Sequence, residues 1–182
     1  MSTADFLFEA GGLKRVPRSG WLTIGIKDCE SVAEHSFRAA LAGSILAKME
    51  GVDEGKVVKM LLFHDVHEAR LGDVHKVSRK YVSTEEISAA KDAFSKIPFE
   101  NDYLELFKEF FEGESREAAV ARDADLLELI AQAKEYLDLG NKYAVKWIEN
   151  AKKSLQTESA KKIAKEIEET DSCKWLFEAK EE

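Results

Sequence analysis

The stretch that most restricts how this chain can fold runs from Val57 to Asp73. Val57-Val58-Lys59-Met60-Leu61-Leu62-Phe63 leads without a break into His64-Asp65. A helix this apolar is expected to be buried, and it carries two polar groups into the interior with it. A carboxylate taken out of water is costly unless it is paired or holds a cation. Glu68 comes three residues after Asp65 and four after His64, so on a continuing helix the three side chains share one face. Gly72 is a natural helix terminator and leaves Asp73 at the helix mouth. An adjacent His-Asp pair offers a divalent cation one nitrogen and one oxygen. The stretch therefore predicts a hydrolytic metal site whose remaining ligands come from elsewhere in the chain.

At 182 residues the chain is expected to form one domain with a full core. The metal-site core is placed at about 30–140 and a C-terminal helical extension at 141–182. No run of 18 apolar residues exists, which excludes a membrane-spanning helix. Met1-Ser2-Thr3-Ala4-Asp5-Phe6 lacks the basic-then-apolar order of a secretory signal. A net charge of −8 argues against a nucleic acid polymer as partner, since that needs a basic surface, but leaves room for a small phosphorylated ligand. Cys29 and Cys173 stand far apart with no CxxC spacing, so neither a zinc knuckle nor a disulfide framework is indicated. A cytoplasmic setting fits these features.

The rest of the chain reads as helices with polar punctuation. Phe6–Ala10 is expected to be a short helix ended by Gly11-Gly12. Leu13 to Trp21, basic and holding Pro17 and Gly20, is expected to be a loop. It is either a solvated linker with Trp21 in the core or a phosphate clamp, with Arg15 and Arg18, beside an aromatic wall. Ser31-Val32-Ala33-Glu34 is a capping box. The helix it opens has His35 in its first turn, Phe37, Ala40, Leu41, Ile45 and Leu46 on its apolar side, and Gly51 at its end. Asp53 caps the next helix. A second capping box, Ser83-Thr84-Glu85-Glu86, predicts a helix to about Lys96, and a further one spans Asp102 to Glu112. Its face of Leu104, Phe107, Phe110 and Phe111 is core or an oligomer contact. Ser115 opens a long helix ended by Gly140. Periodicity places Asp123 on the apolar stripe of that helix and Asp125 on its flank. This favours Asp123 as the buried carboxylate without separating the two as ligands. Residues 142–171 form a charged, solvent-facing helical stretch. Strand-like alternation is nearly absent, so the fold class is all-α.

His35, His64-Asp65 and a later aspartate thus arrive on three helices, which a bundle can bring together in its core. Two imidazoles and two carboxylates suit Mn, Co, Fe, Ni or Zn, with Mg less comfortable beside imidazole. His67 and His75 are second-rank candidates, as spare ligands or substrate contacts.

This order resembles the HD-domain metal-dependent phosphohydrolase superfamily, and the fold implied is a single-domain HD-type helical bundle. Glu-Ser-Val-Ala-Glu-His-Ser (30–36), His-Asp-x-x-Glu-Ala-x-x-Gly-Asp (64–73) and Asp-x-x-Glu-x-x-x-Gln-Ala-x-Glu-Tyr (125–136) are similar to its 5′-deoxynucleotidase branch. Leu-Lys-Arg-Val-Pro-Arg-Ser-Gly-Trp (13–21) is similar to that branch's N-terminal segment. The resemblance settles the aspartate as Asp125, because only that register also aligns Glu128, Gln132 and Tyr136. It implies His35, His64, Asp65 and Asp125 as ligands of one divalent metal ion and Glu68 with Asp73 as the proton-handling pair. It further implies Arg15, with Arg18, as phosphate contacts. Trp21 stands in for the Trp that follows the arginine in a bacterial subgroup, where this chain has Val16. The activity implied is removal of the 5′-phosphate from deoxynucleoside monophosphates, by a homodimer. The alternatives are an HD-type phosphodiesterase or nucleotide pyrophosphohydrolase and, in another class, a non-catalytic helical module with a structural metal.

Overall fold

A computed structural model describes residues 2–178. Helix α1 (Thr3–Ala10) starts at a capping box of Ser2 and Asp5 and runs directly into a 3-10 turn over Gly11–Arg15. A short helix, α2 (Ser19–Leu22), follows, so the segment expected as a loop is largely wound up. Next come α3 (Val32–Glu50), α4 (Glu54–Phe63), α5 (Glu68–Leu71), α6 (Glu86–Phe94), α7 (Glu100–Glu112) and α8 (Arg116–Asp138). The C-terminal part comprises α9 (Val145–Lys152), α10 (Glu158–Glu169) and α11 (Lys174–Glu178). Among the described residues there is no strand, only an isolated antiparallel bridge between Pro17 and Ser31.

The starts and stops follow local chemistry. The Ser31 hydroxyl accepts from the Glu34 amide while Glu34 returns the bond to the Ser31 amide, closing the capping box on α3. Asp53, Ser115 and Thr157 cap α4, α8 and α10 in the same way through one side-chain oxygen each. Gly51 ends α3 in the left-handed conformation that a side chain disfavours. The box expected at Ser83 does not close. Helix α6 begins at Glu86 with no side-chain cap, and Thr84 bonds the Glu86 carboxylate instead.

Helices α3, α4 and α8 pack around Leu46, Val57, Leu61, Ala124, Leu127 and Ile130. The α3–α4 crossing is close because Gly43 has no side chain: a Cβ there would lie 2.2 Å from Leu61 Cδ1. Ile148, Ala151, Leu155, Ala160 and Ala164 continue the same core, so α9 and α10 are packed onto α8. Residues 142–171 are thus two helices with a buried face, where a single solvent-facing stretch was expected. A second cluster of Phe6, Val66, Ala90, Ala93, Phe94 and Phe107 lies under α6 and α7.

The packing corrects two faces. On α3 the buried side is His35, Ala39, Ala40, Gly43, Leu46 and Ala47, while Phe37, Leu41, Ile45 and Met49 are exposed at successive turns. On α7, Phe107 and Phe110 are core, so that aromatic face gives no ground for an oligomer contact. No helix among the described residues is long and apolar enough to cross a membrane.

Candidate active site

The run into His64 behaves as its sequence requires, with one change. Helix α4 stops at Phe63, and residues 64–67 form a turn before α5 begins at Glu68. The continuous helix expected there is broken, yet the Glu68 amide still bonds the Asp65 carbonyl at 3.0 Å, so Glu68 stays beside the pair. His64 Nδ1 lies 2.8 Å from the Leu61 carbonyl, which turns Nε2 into the interior. α5 ends at Gly72, whose positive φ of 73° redirects the chain and delivers Asp73 to the same cavity.

Four side chains from three helical regions converge. His35 on the first turn of α3 is fully buried, and its Nε2 lies 2.9 Å from Asp125 Oδ1 and 3.8 Å from Asp65 Oδ2. His64 Nε2 lies 3.1 Å from Asp65 and 3.9 Å from Asp125. The ligating atoms of His35, His64 and Asp125 all fall within 4.8 Å of one another. Both Nε2 atoms are buried without an aligned hydrogen-bond partner, beside the carboxylates of Asp65 and Asp125. Orphaned imidazole nitrogens facing two carboxylates are what a divalent cation satisfies. The residues present therefore fit a metal ion.

Asp123 is as buried as periodicity suggests, but it does another job. Its carboxylate accepts the amides of Gln156 and Thr157 at 2.9 and 2.7 Å and the Thr157 hydroxyl at 2.7 Å, anchoring the start of α10. Asp125, on the flank, faces the histidines.

Behind His35 sits a layer that sequence reasoning used only for register. Glu128, on α8 one turn beyond Asp125, is hydrogen-bonded to His35 Nδ1. Its other oxygen takes Arg38 Nη2 at 2.8 Å and Nε at 3.0 Å, and Arg38 also reaches Gln132 at 2.7 Å. Burial and the Arg18 charge oppose the imidazolium, but the neighbouring carboxylates of Asp125 and Glu128 outweigh them and push His35 up to about 10. Asp65 is held well below the carboxylate range: burial opposes ionisation, and His64, Arg18 and His35 overcome it. Glu30 is pushed up to about 7 by burial and by Glu128, and it accepts the Trp21 indole N–H at 2.9 Å. The Asp-x-x-Glu-x-x-x-Gln spacing is the one sequence signal for Glu128 and Gln132, and Glu30 opens the 30–36 motif; Arg38 carries none.

Glu68 and Asp73 line the cavity with the metal-site residues. Glu68 is buried, its Oε2 unpartnered. Burial, then the charges of Asp65 and Asp73, push it up to about 9. Asp73 Oδ2 accepts the Ser19 amide at 2.6 Å, which fixes its carboxyl on the wall.

Of the two arginines, the structure brings Arg18 to the site. Its Nη1 lies 3.3 Å from Asp65, and its backbone is pinned by Arg18 N to Glu30 O at 3.0 Å, beside Val32 N to Val16 O at 2.9 Å. Arg15 is exposed at the end of the 3-10 turn and is not among the cavity-lining residues. The reason is geometric: the pairing of 16–18 with the start of α3 aims residue 18, three positions on, at Asp65. Trp21 is both core and cavity wall, with its ring 5.1 Å from Tyr136 and 5.5 Å from Trp147. His67 is buried against Phe107 and Phe111, away from the cavity; His75 lines the cavity and contacts Ser78.

The whole forms a cavity of about 620 Å³ with the buried His64 and Asp65 in its wall. A cationic arginine, a metal-fitting cluster and two further carboxyls in one cleft suit hydrolysis of a phosphoester. Comparison with known proteins agrees. The model of the HD domain family matches residues 10–169. The chain is 34% identical over 143 residues to the protein named 5′-deoxynucleotidase HDDC2 of Bos taurus, covering 76% of this chain and 69% of that one. It is 32% identical to the protein of the same name in Homo sapiens, covering 78% and 71%. Among solved structures, a conserved hypothetical protein from Pyrococcus furiosus superposes with a TM-score of 0.78 at 33% identity, over 92% of this chain and 99% of that one. On the extent of these matches, the chain belongs to the HD domain family.

Proposed function

We propose that this protein is a metal-dependent 5′-deoxynucleotidase, a phosphomonoesterase acting on deoxynucleoside monophosphates. The observation that carries the reading is the shared cavity, in which Arg18, His64, Asp65, Asp125, Glu68 and Asp73 line one space, with His35 buried behind Asp65 and Asp125. The names of the relatives support the substrate class.

His35, His64, Asp65 and Asp125 would hold one divalent ion, drawn from Mn, Co, Ni, Fe or Zn by their nitrogen and oxygen donors. Bound there, such an ion supplies Lewis-acid stabilisation of phosphoryl charge and a more acidic water. Arg18 places a fixed cation beside the phosphoryl oxygens, where charge builds in the transition state. Glu68 is the proton acceptor for the attacking water; a divalent charge nearby would offset the burial and the Asp65 and Asp73 charges that otherwise keep it protonated. Asp73, oriented by the Ser19 amide, passes on to the departing 5′-oxygen the proton that Glu68 takes from the water. Trp21 walls the cavity on the α2 side.

The homodimer rests on the exposed α3 row of Phe37, Leu41, Ile45 and Met49, a surface of the kind that a second copy can cover. Replacing Leu41 and Ile45 by Glu is expected to give a monomer in light scattering. A cytoplasmic setting is supported by two cysteines that remain unpaired, Cys29 and Cys173.

The decisive experiment strips the protein of metal and resupplies Mn, Co, Ni, Zn or Mg in turn. Phosphate release is then followed from 5′-dNMPs, 5′-NMPs, 3′-dNMPs and a bis(nitrophenyl) diester. Release confined to the 5′-deoxynucleotides is expected. Preference for the diester moves the assignment to a phosphodiesterase, and metal-dependent folding with no release from any of them moves it to a structural metal module.

A further inference from the structure

The substrate cavity reaches beyond the metal-fitting cluster, and its outer wall is built by a helix from the stretch that the sequence marked only as charged. Trp147, Asn150, Ala151 and Ser154, spaced three, four and seven residues from the first, lie on one face of α9 and of the turn following it, and all line the cavity. Leu126 and Leu129 of α8, the residues next to and one turn beyond Asp125, line it with them. This side offers an indole, a carboxamide, a hydroxyl and aliphatic carbon, together with Lys146, whose ammonium pairs with Glu149 at 2.8 Å. The segment 74–79 is different in kind, since His75, Lys76 and Arg79 line the cavity there beside Val74 and Val77. Lys152 of α9 pairs with Glu168 of α10 and is not a lining residue.

With the phosphate held at Arg18 and the metal ligands, the nucleoside extends toward α9, toward residues 74–79, or toward Phe110 and Phe111, which offer ring carbon but no polar edge. A nucleobase is a flat, uncharged heteroaromatic ring with donors and acceptors on its edge. It matches the α9 wall, where aromatic and aliphatic surface can take its face and an amide, as donor and acceptor together, can take its edge. We infer that the inward face of α9 is the nucleobase subsite, with Trp147 and Leu129 packing the base and Asn150 and Ser154 bonding its edge. This rests on the 5′-deoxynucleotidase reading above. It assigns a task to a helix that holds none of the ligand or proton-handling residues. Because a carboxamide can present either its oxygen or its NH₂, the subsite accepts all four bases while still gaining from the presence of one.

The test compares kcat/KM for each 5′-dNMP with that for 2-deoxyribose 5-phosphate, which keeps the phosphate and sugar and lacks the base. Wild-type protein is expected to prefer the nucleotides at least about tenfold, the value of one or two net hydrogen bonds plus ring burial. Asn150→Leu and Ser154→Ala, at exposed positions where the fold tolerates change, are each expected to cut that ratio about threefold to tenfold. Trp147→Phe probes the packing half in the same way. A wild-type ratio near one, or a ratio that none of the three substitutions moves, overturns the subsite while the phosphatase stands. Absence of release from both compounds overturns the phosphatase reading, and the subsite falls with it.

Discussion

His35 and Glu128 are bonded through the imidazole Nδ1, and that one contact leaves the opposite ring nitrogen aimed at Asp125, 2.9 Å away. A carboxylate behind a ligating histidine fixes the ring and raises its basicity, while Arg38 keeps Glu128 itself charged and in place. Glu128→Gln is therefore expected to weaken metal affinity by about tenfold to a hundredfold with the fold retained. Competition with a chromogenic chelator, alongside circular dichroism, measures both. Unchanged affinity would remove Glu128 from the positioning role.

The two aspartates of α8 separate cleanly by experiment. Asp123→Ala strips three bonds from the start of α10 and leaves two amides unpaired, so it is expected to cost about 2–4 kcal/mol in urea unfolding. Asp125→Asn is expected to lose metal with little change in the stability of the stripped protein. The reverse pattern would put the metal ligand back on the apolar stripe.

The arginines differ in the same manner. Arg18→Ala is expected to lower kcat/KM by about a hundredfold, in line with removal of one preorganised charge contact to a transition state. Arg15→Ala, altering an exposed side chain outside the cavity, is expected to change it less than about twofold. Equal losses would mean that the 3-10 turn rearranges when substrate binds.

The metal-stripped protein is expected to lose stability as the pH rises from about 5 to 9. Glu30 and Glu68 hold their protons up to about 7 and 9 in the folded chain, and His35 holds its own up to about 10. Over this range the folded state binds more protons than the unfolded one, so stability falls with pH. Asp65, Asp125 and Glu128 are shifted down and act only at lower pH. The midpoint of thermal unfolding is expected to drop on the order of 5–10 °C between pH 5 and 9. The increment added by metal is expected to grow over the same interval, because binding displaces protons. A flat melting profile for stripped protein would show that these groups relax to water.

Much of this was readable from residue order. A buried run ending in His-Asp, caps at Ser31, Asp53 and Ser115, and stops at Gly51 and Gly72 are local signals, and the structure reproduces them. What the order of residues could not supply were properties of packing. Phe37 and Phe107 look alike in a helical pattern, yet one faces solvent and the other the core, since only the position of neighbouring helices decides. Asp123 and Asp125 were separated by the family register alone, because a buried carboxylate can serve an amide as well as a metal. Arg18 displaced Arg15 through a two-residue bridge that no periodicity encodes. The role of α9 was hidden because its inward residues are spaced among lysines and glutamates.

The depth of the histidines under an open rim also fixes an order of events. Whatever binds at His64 and Asp65, which are buried, lies deeper than whatever binds beside the exposed Asn150 and Ser154 of the α9 side. With phosphate at Arg18 and the base at α9, as proposed, the nucleoside leaves first and inorganic phosphate last. Phosphate would then compete with substrate for the free enzyme, while the nucleoside would not, and the rate of a full cycle would be governed by how quickly the floor is vacated.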